Sequence, residues 1–374
     1  MHDLQRDDIA RRIATRASVT AELDAPHGLD GSIDLTIATH EDGPPAHVRV
    51  AAIDALERGE THYTDRQGIL PLREALAART AAEGFPADPA GVVITNGGSE
   101  ALYIILQSLV TPGDSVFVVG GTSPNVAHMI AFMGGEIVWI DGGADLPESP
   151  NARLLLVSDP SPADGTLAAD GAVERLATQA LARGIEVVLD RSLAWSQFTH
   201  LTPLFSDPAI TEQVLTVGSF SHAWDMAGWR AGYFTTPVTH RAKMQGLKLA
   251  MSICTSTASQ YAALAALEGP DDWLIARRTQ MAERRDEIIA LLADAGIPTT
   301  TPSAWPPLLL DTRLIQPDDE QAAAMIRDAC GVIVEPASHW GPAYRGRCRL
   351  RLDASVETLR EGIARLAAFH NSCG

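Results

Sequence analysis

Between residues 92 and 218 the chain alternates short apolar runs with helical stretches, and few folds accept that rhythm. Residues 92–95, 115–119, 136–140, 153–158, 186–190 and 214–218 read as strands, with helices expected at 99–109, 123–133 and 173–183. Strands that alternate with helices pair in parallel, because each crossover helix returns the chain to the same edge. A mainly parallel sheet covered on both faces follows, and the class is α/β.

The flanks are organised differently. Residues 1–45 read as an arm with a short helix at 7–16, broken by Pro26, Gly28, Gly31, Gly43, Pro44 and Pro45. Helices are expected at 47–58 and 69–83. After Gly269-Pro270 a long helix runs to Gly296, with Asp271 or Asp272 as its N-cap. Then come a strand at 308–311, a helix at 319–329, strands at 332–335 and 348–352, and a last helix from Val356. This gives a large domain over 46–270 and a small α+β domain over 271–374, against which the arm 1–45 is expected to pack. A chain of 374 residues is long enough for both.

The composition excludes several functions. A net charge of −18 repels polyanions, and no basic tract tracks phosphates, so nucleic acid is not an expected partner. The hydrophobic share is 46% with no run long enough to cross a bilayer, and the charged start lacks a leader's apolar core. Cys254, Cys330, Cys348 and Cys373 show no metal or disulfide spacing. A reducing, cytoplasmic setting without structural metal is the expectation.

Three patterns carry chemistry. Thr95-Asn96-Gly97-Gly98-Ser99-Glu100 ends a strand and opens a helix, where glycines admit a ligand and free N–H groups favour an anion. Taken alone, such a turn is a weak signal. Asp190 closes an apolar strand, at the edge where doubly wound sheets bind ligands; a helix cap is the plain alternative. The third is the stretch Ser219-Phe220-Ser221-His222-Ala223-Trp224-Asp225-Met226-Ala227-Gly228-Trp229-Arg230-Ala231-Gly232-Tyr233.

That stretch resembles the Ser-x-Ser-Lys-x-x-x-x-x-Gly-x-Arg-x-Gly-Tyr signature of class I and II aminotransferases, which are pyridoxal-phosphate (PLP) enzymes of fold type I. Arg230 falls eight residues after the signature lysine's position. Gly59, Thr61, Tyr63, Gly68 and Leu72-Arg73 resemble the family's G-x-T-x-Y…G…LR segment, and Gly113-Asp114-Ser115-Val116 its G-D-x-V. Near the end, residues 332–341 followed by Arg349 resemble V-x-V-x-P-G-S-x-F-G…R-L.

The resemblance implies a phosphate cup of Gly98, Ser99, Ser219, Ser221 and Arg230, with Tyr63 donated by the second subunit of a homodimer. Asp190 would pair with the pyridine nitrogen and Arg349 with a substrate carboxylate. The implied function is aminotransferase-like, on an amino acid or related carboxylate.

Several positions depart from the pattern. His222 stands where the family keeps its cofactor-anchoring lysine, Ser123 where an aromatic residue stacks on the ring, and Leu193 where a tyrosine meets the phenolic oxygen. Pro162 replaces an amide, and Ala38 a glycine of the substrate pocket. Imidazole forms no stable covalent link with PLP but exchanges protons near neutral pH. A sugar-dehydratase branch of this fold also carries histidine at this position.

Three readings stand open: an enzyme binding PLP noncovalently with His222 as acid or base, a PLP-independent enzyme reusing the cleft, and a noncatalytic subunit paired with a lysine-bearing paralogue. The arginines at 345, 347, 349 and 351 alternate along an expected strand, which would gather four cations on one face for an anionic ligand.

Overall fold

A computed structural model describes residues 31–36, 43–199, 201 and 203–373. The expected arm helix and Ala38 lie outside the described residues. Twelve strands are labelled in chain order: β1 (Ile33–Asp34), β2 (Val92–Thr95), β3 (Ser115–Val119), β4 (Glu136–Ile140), β5 (Ala152–Ser158), β6 (Glu186–Asp190), β7 (Leu215–Ser219), β8 (Gly232–Thr235), β9 (Pro307–Asp311), β10 (Val332–Ile333), β11 (Glu335–Pro336) and β12 (Arg347–Arg351).

The main sheet has the order β2-β8-β7-β6-β5-β3-β4. From β7 to β4 every pairing is parallel, whereas β8 runs antiparallel to both β7 and β2. The parallel interior explains the unbroken apolar runs. Val116, Val118, Leu154 and Leu156 enter one core layer, while their sequence neighbours Phe117, Leu155 and Val157 enter the layer on the opposite face. Both sides are dry, so neither face needs polar residues.

The expectation of six strands here misses β8, which begins within the last two residues of the Ser219–Tyr233 signature and runs on to Thr235. It also leaves helices Val238–Ser252 and Thr257–Glu268 unassigned. Only Met244, Gln245 and Lys248 are buried along the first of these, too few apolar positions to set a stripe.

Strands β11, β12 and β9 form a second, antiparallel sheet, and β1 pairs in parallel with β10. Trp305, Leu308, Leu310, Leu350 and Ile326 make its core together with Leu35 from the described part of the arm. Local chemistry sets the helix ends here. The Asp318 side chain accepts from the N–H of Gln321, and Gly331 takes the left-handed conformation (φ 66°) that stops helix Asp319–Cys330. Helix Asp272–Asp294 has Asp271 at its N-cap position, but no side-chain cap bond forms there.

Candidate active site

The C-terminal ends of β6 and β7 and the start of helix Gly98–Leu109 converge. Asp190 ends β6 with Ser158 of β5 and Val217 of β7 beside it, and is buried. Its Oδ1 accepts from the Ser192 N–H at 2.9 Å and from the Ser192 hydroxyl at 2.6 Å. Oδ2 bonds no partner among the described residues. Burial pushes the Asp190 carboxyl above the usual carboxylate range, against the pull of the Ser192 bonds.

Ser219 ends β7. Its hydroxyl donates to Ser221 Oγ at 2.9 Å and accepts from the Ser221 N–H at 3.1 Å, so two hydroxyls share one corner. The first-turn N–H groups of Gly98, Ser99 and Glu100 have no acceptor within their helix. Arg230 sits in the left-handed region (φ 54°), donating through Nη1 to the Ala227 carbonyl at 2.9 Å and through Nη2 to the Asn96 carbonyl at 3.0 Å.

The glycines of this corner are obligatory. A Cβ on Gly97 (φ 85°) would lie 2.4 Å from Arg230 Nη2, one on Gly98 2.9 Å from Ser192 Oγ, and one on Gly232 2.5 Å from the Gly97 carbonyl carbon. Behind the corner, Glu100 accepts from the Asn96 N–H at 2.6 Å, Lys248 Nζ at 2.8 Å and the Ser252 hydroxyl at 2.7 Å. Burial opposes ionisation of Glu100, but Lys248 and the Asn96 N–H prevail and its pKa is lowered.

His222 follows Ser221 and is half-buried. Its carbonyl accepts from Trp305 Nε1 at 3.3 Å, and Arg351 Nη2 lies 3.5 Å from its Nδ1. Arg351 is itself paired with Asp353 through Nε and Nη2.

Arg349 is buried on β12, where its register partner on β11 is Glu335. Nη1 donates to Glu335 Oε2 at 3.0 Å and Nη2 to the Pro162 carbonyl at 3.3 Å, while the guanidinium lies 4.0 Å over the Trp340 ring. Burial pulls its pKa down to about 10, so it remains a cation at neutral pH.

Other expected positions have local roles. Ser123 caps helix Pro124–Phe132 by accepting from the Val126 N–H at 3.4 Å, and Leu193 is core. His339 faces Glu320 at 3.3 Å. Tyr63 is 76% exposed and has no stacking partner in its own chain among the described residues.

The expected four-cation face is corrected. Arg345 follows a 3-10 turn outside the strand, and Arg349 and Arg351 each carry a carboxylate partner. Sequence reasoning missed Ser192, although an Asp-x-Ser turn after a strand is a readable signal. It also passed over the lysine count: Lys243 and Lys248 are the only lysines in the chain.

A mostly parallel central sheet with helices, whose strand ends hold a buried carboxylate beside a glycine-rich helix start, is the aspartate aminotransferase-like architecture of fold type I. Residues 31–366 match the aminotransferase class I and II family model, and the chain belongs to that family. It is 30% identical to the aspartate/prephenate aminotransferase of Thermus thermophilus over 383 residues, covering 96% of this chain and 98% of that protein. It is 29% identical to the arginine–pyruvate transaminase AruH of Pseudomonas aeruginosa over 348 residues, covering 89% and 88%. A solved double mutant of Thermus thermophilus aspartate aminotransferase superposes with a TM-score of 0.82 at 28% identity, covering 95% of each chain.

Members of this family use pyridoxal phosphate, and the residues present fit both ends of it. The two hydroxyls, the free N–H groups and Arg230 suit a phosphate dianion, and the glycine cradle leaves room for close approach. Asp190 has a free oxygen for a pyridinium N–H. Among the described residues no helix is long and apolar enough to cross a membrane, and no group of side chains could hold a metal ion.

Proposed function

We propose that this protein is an aminotransferase-like enzyme that holds PLP without a covalent bond and uses His222 as its proton carrier. When bound, the cofactor supplies an electron sink for charge developing beside the substrate's amino group. Ser219, Ser221, Arg230 and the N–H groups of Gly98 and Ser99 would grip the phosphate. Asp190 would keep the ring nitrogen protonated, a role in which its ionised form is favoured by the pyridinium charge.

The single observation that carries the noncovalent reading is where the amines are. Lys248 is wholly buried, with Nζ committed to Glu100, Ser252 and Thr255, and Lys243 donates to the Ser108 carbonyl. Position 222 offers imidazole instead, which moves protons near pH 7 without forming a lasting bond.

Tyr63 on the surface, with exposed Val50, Ile53 and Leu56 on helix Ala46–Glu57, supports a second copy of the chain completing the site. A cytoplasmic location accords with the three free cysteines among the described residues.

The test is to titrate purified protein into PLP, follow absorbance, add borohydride and weigh the chain. The expected result is a shifted PLP spectrum with no gain in protein mass. A free-PLP spectrum at saturating protein overturns the cofactor, and a mass gain overturns the noncovalent bond.

A further inference from the structure

The turn that opens helix Gly98–Leu109 is gripped from behind. Glu100 Oε2 accepts from the Asn96 N–H at 2.6 Å and Lys248 Nζ at 2.8 Å, and Oε1 from the Ser252 hydroxyl at 2.7 Å and Asn96 Nδ2 at 3.2 Å. Backbone and side chain of Asn96 therefore end on one carboxylate. That carboxylate is itself fixed, because Lys248 also donates to Ser252 and to Thr255, whose hydroxyl bonds the Ile94 carbonyl of β2.

Asn96 in turn holds Arg230. Its carbonyl accepts from Nη2 at 3.0 Å, and the Ala227 carbonyl, on Nη1, is the guanidinium's one other acceptor among the described residues. A Cβ on Gly97 would lie 2.4 Å from the same Nη2, so the guanidinium rests against this turn and a shift of one displaces the other. The remaining N–H donors of Arg230 stay available to an anion.

We propose that Glu100 is a positioning residue for phosphate: it fixes Asn96, and through the Asn96 carbonyl it aims the Arg230 guanidinium. A lone carboxylate so close to an anion site would repel the ligand, and the wholly buried Lys248 offsets that charge. The proposal rests on reading this corner as the phosphate end of the cleft, and adds to it a residue that touches no ligand.

The experiment is calorimetric titration of inorganic phosphate at neutral pH into wild type and two paired variants, Lys248→Met with Glu100→Ala and Lys248→Met with Glu100→Gln. Removing both charges leaves no lone buried ion, and glutamine still offers an oxygen to the Asn96 N–H. The alanine pair is expected to bind phosphate about tenfold more weakly, the worth of one net hydrogen bond, and the glutamine pair to recover to within about threefold of wild type. In an Arg230→Lys background the alanine pair should shift affinity by less than about twofold, since the group being aimed is gone. Unchanged affinity in the alanine pair overturns the proposal. So does a loss that glutamine leaves unrecovered or that persists in full beside Arg230→Lys, the marks of a helix start held only for stability. Should the alanine pair not fold, Glu100→Asp, one methylene too short for the Asn96 N–H but still charged against Lys248, carries the same expected loss of about tenfold. Wild type that binds no phosphate overturns the cradle itself, an outcome distinct from equal binding across the variants.

Discussion

Ser192 donates twice to the same oxygen of Asp190, from its N–H at 2.9 Å and its hydroxyl at 2.6 Å. The hydroxyl that holds Asp190 also lies 2.9 Å from where a Cβ on Gly98 would stand, so Ser192 sits against the start of helix Gly98–Leu109.

Asp190→Asn should stabilise the cofactor-free protein at neutral pH. Burial raises the folded pKa of Asp190 above its ordinary 3.8, so its contribution is fully present below that value and is lost as pH rises through the raised pKa. Asparagine stays neutral and escapes that loss. The same change should weaken PLP binding by about 10- to 100-fold, since a bond between charged groups is replaced by a neutral one. Thermal melts from pH 4 to 8 and PLP titrations check the two halves independently.

His222→Lys should convert the site to covalent attachment. The new amine stands three residues beyond the end of β7, directly after Ser221, and no other side chain is altered. Borohydride treatment should then raise the protein mass by one reduced cofactor, whereas wild type should gain nothing. A variant that binds PLP but stays unmodified would show that position 222 does not face the cofactor's aldehyde.

Gly97→Ala should cost about 1–3 kcal/mol of stability, because φ 85° with ψ 169° is a region that L side chains rarely adopt. It should also displace the Arg230 guanidinium and reduce affinity for inorganic phosphate as well as PLP. Urea melts and phosphate titrations measure both effects.

Lys248→Met should destabilise the fold by about 3–5 kcal/mol, since Glu100 would keep a charge in a largely buried place without its partner. Glu100→Gln in the same chain should recover part of the loss. In wild type the lowered pKa of Glu100 means that this pair's contribution is present above pH 4.5 and lost as pH falls through the folded pKa. The single Lys248→Met variant should lack that acid-side loss in denaturant melts.

The sequence by itself determined the α/β class, the strands β2 to β7 within a residue at each end, and the family, because apolar runs and glycine turns are local signals. Local signals placed Asp190 and Gly98 at a strand end and a helix start, where fold-level rules put a ligand, whereas Ser219, Ser221 and Arg230 came only from the family resemblance. Reversal of β8 was illegible, since nothing in Gly232–Thr235 encodes direction. Tertiary structure alone decided that Ser192 sits against the start of helix Gly98–Leu109, that Lys248 is spent on Glu100, and that Glu335 pairs with Arg349. Each of those facts depends on which strand lies beside which, and strand register is a property of the packed sheet rather than of any stretch of chain.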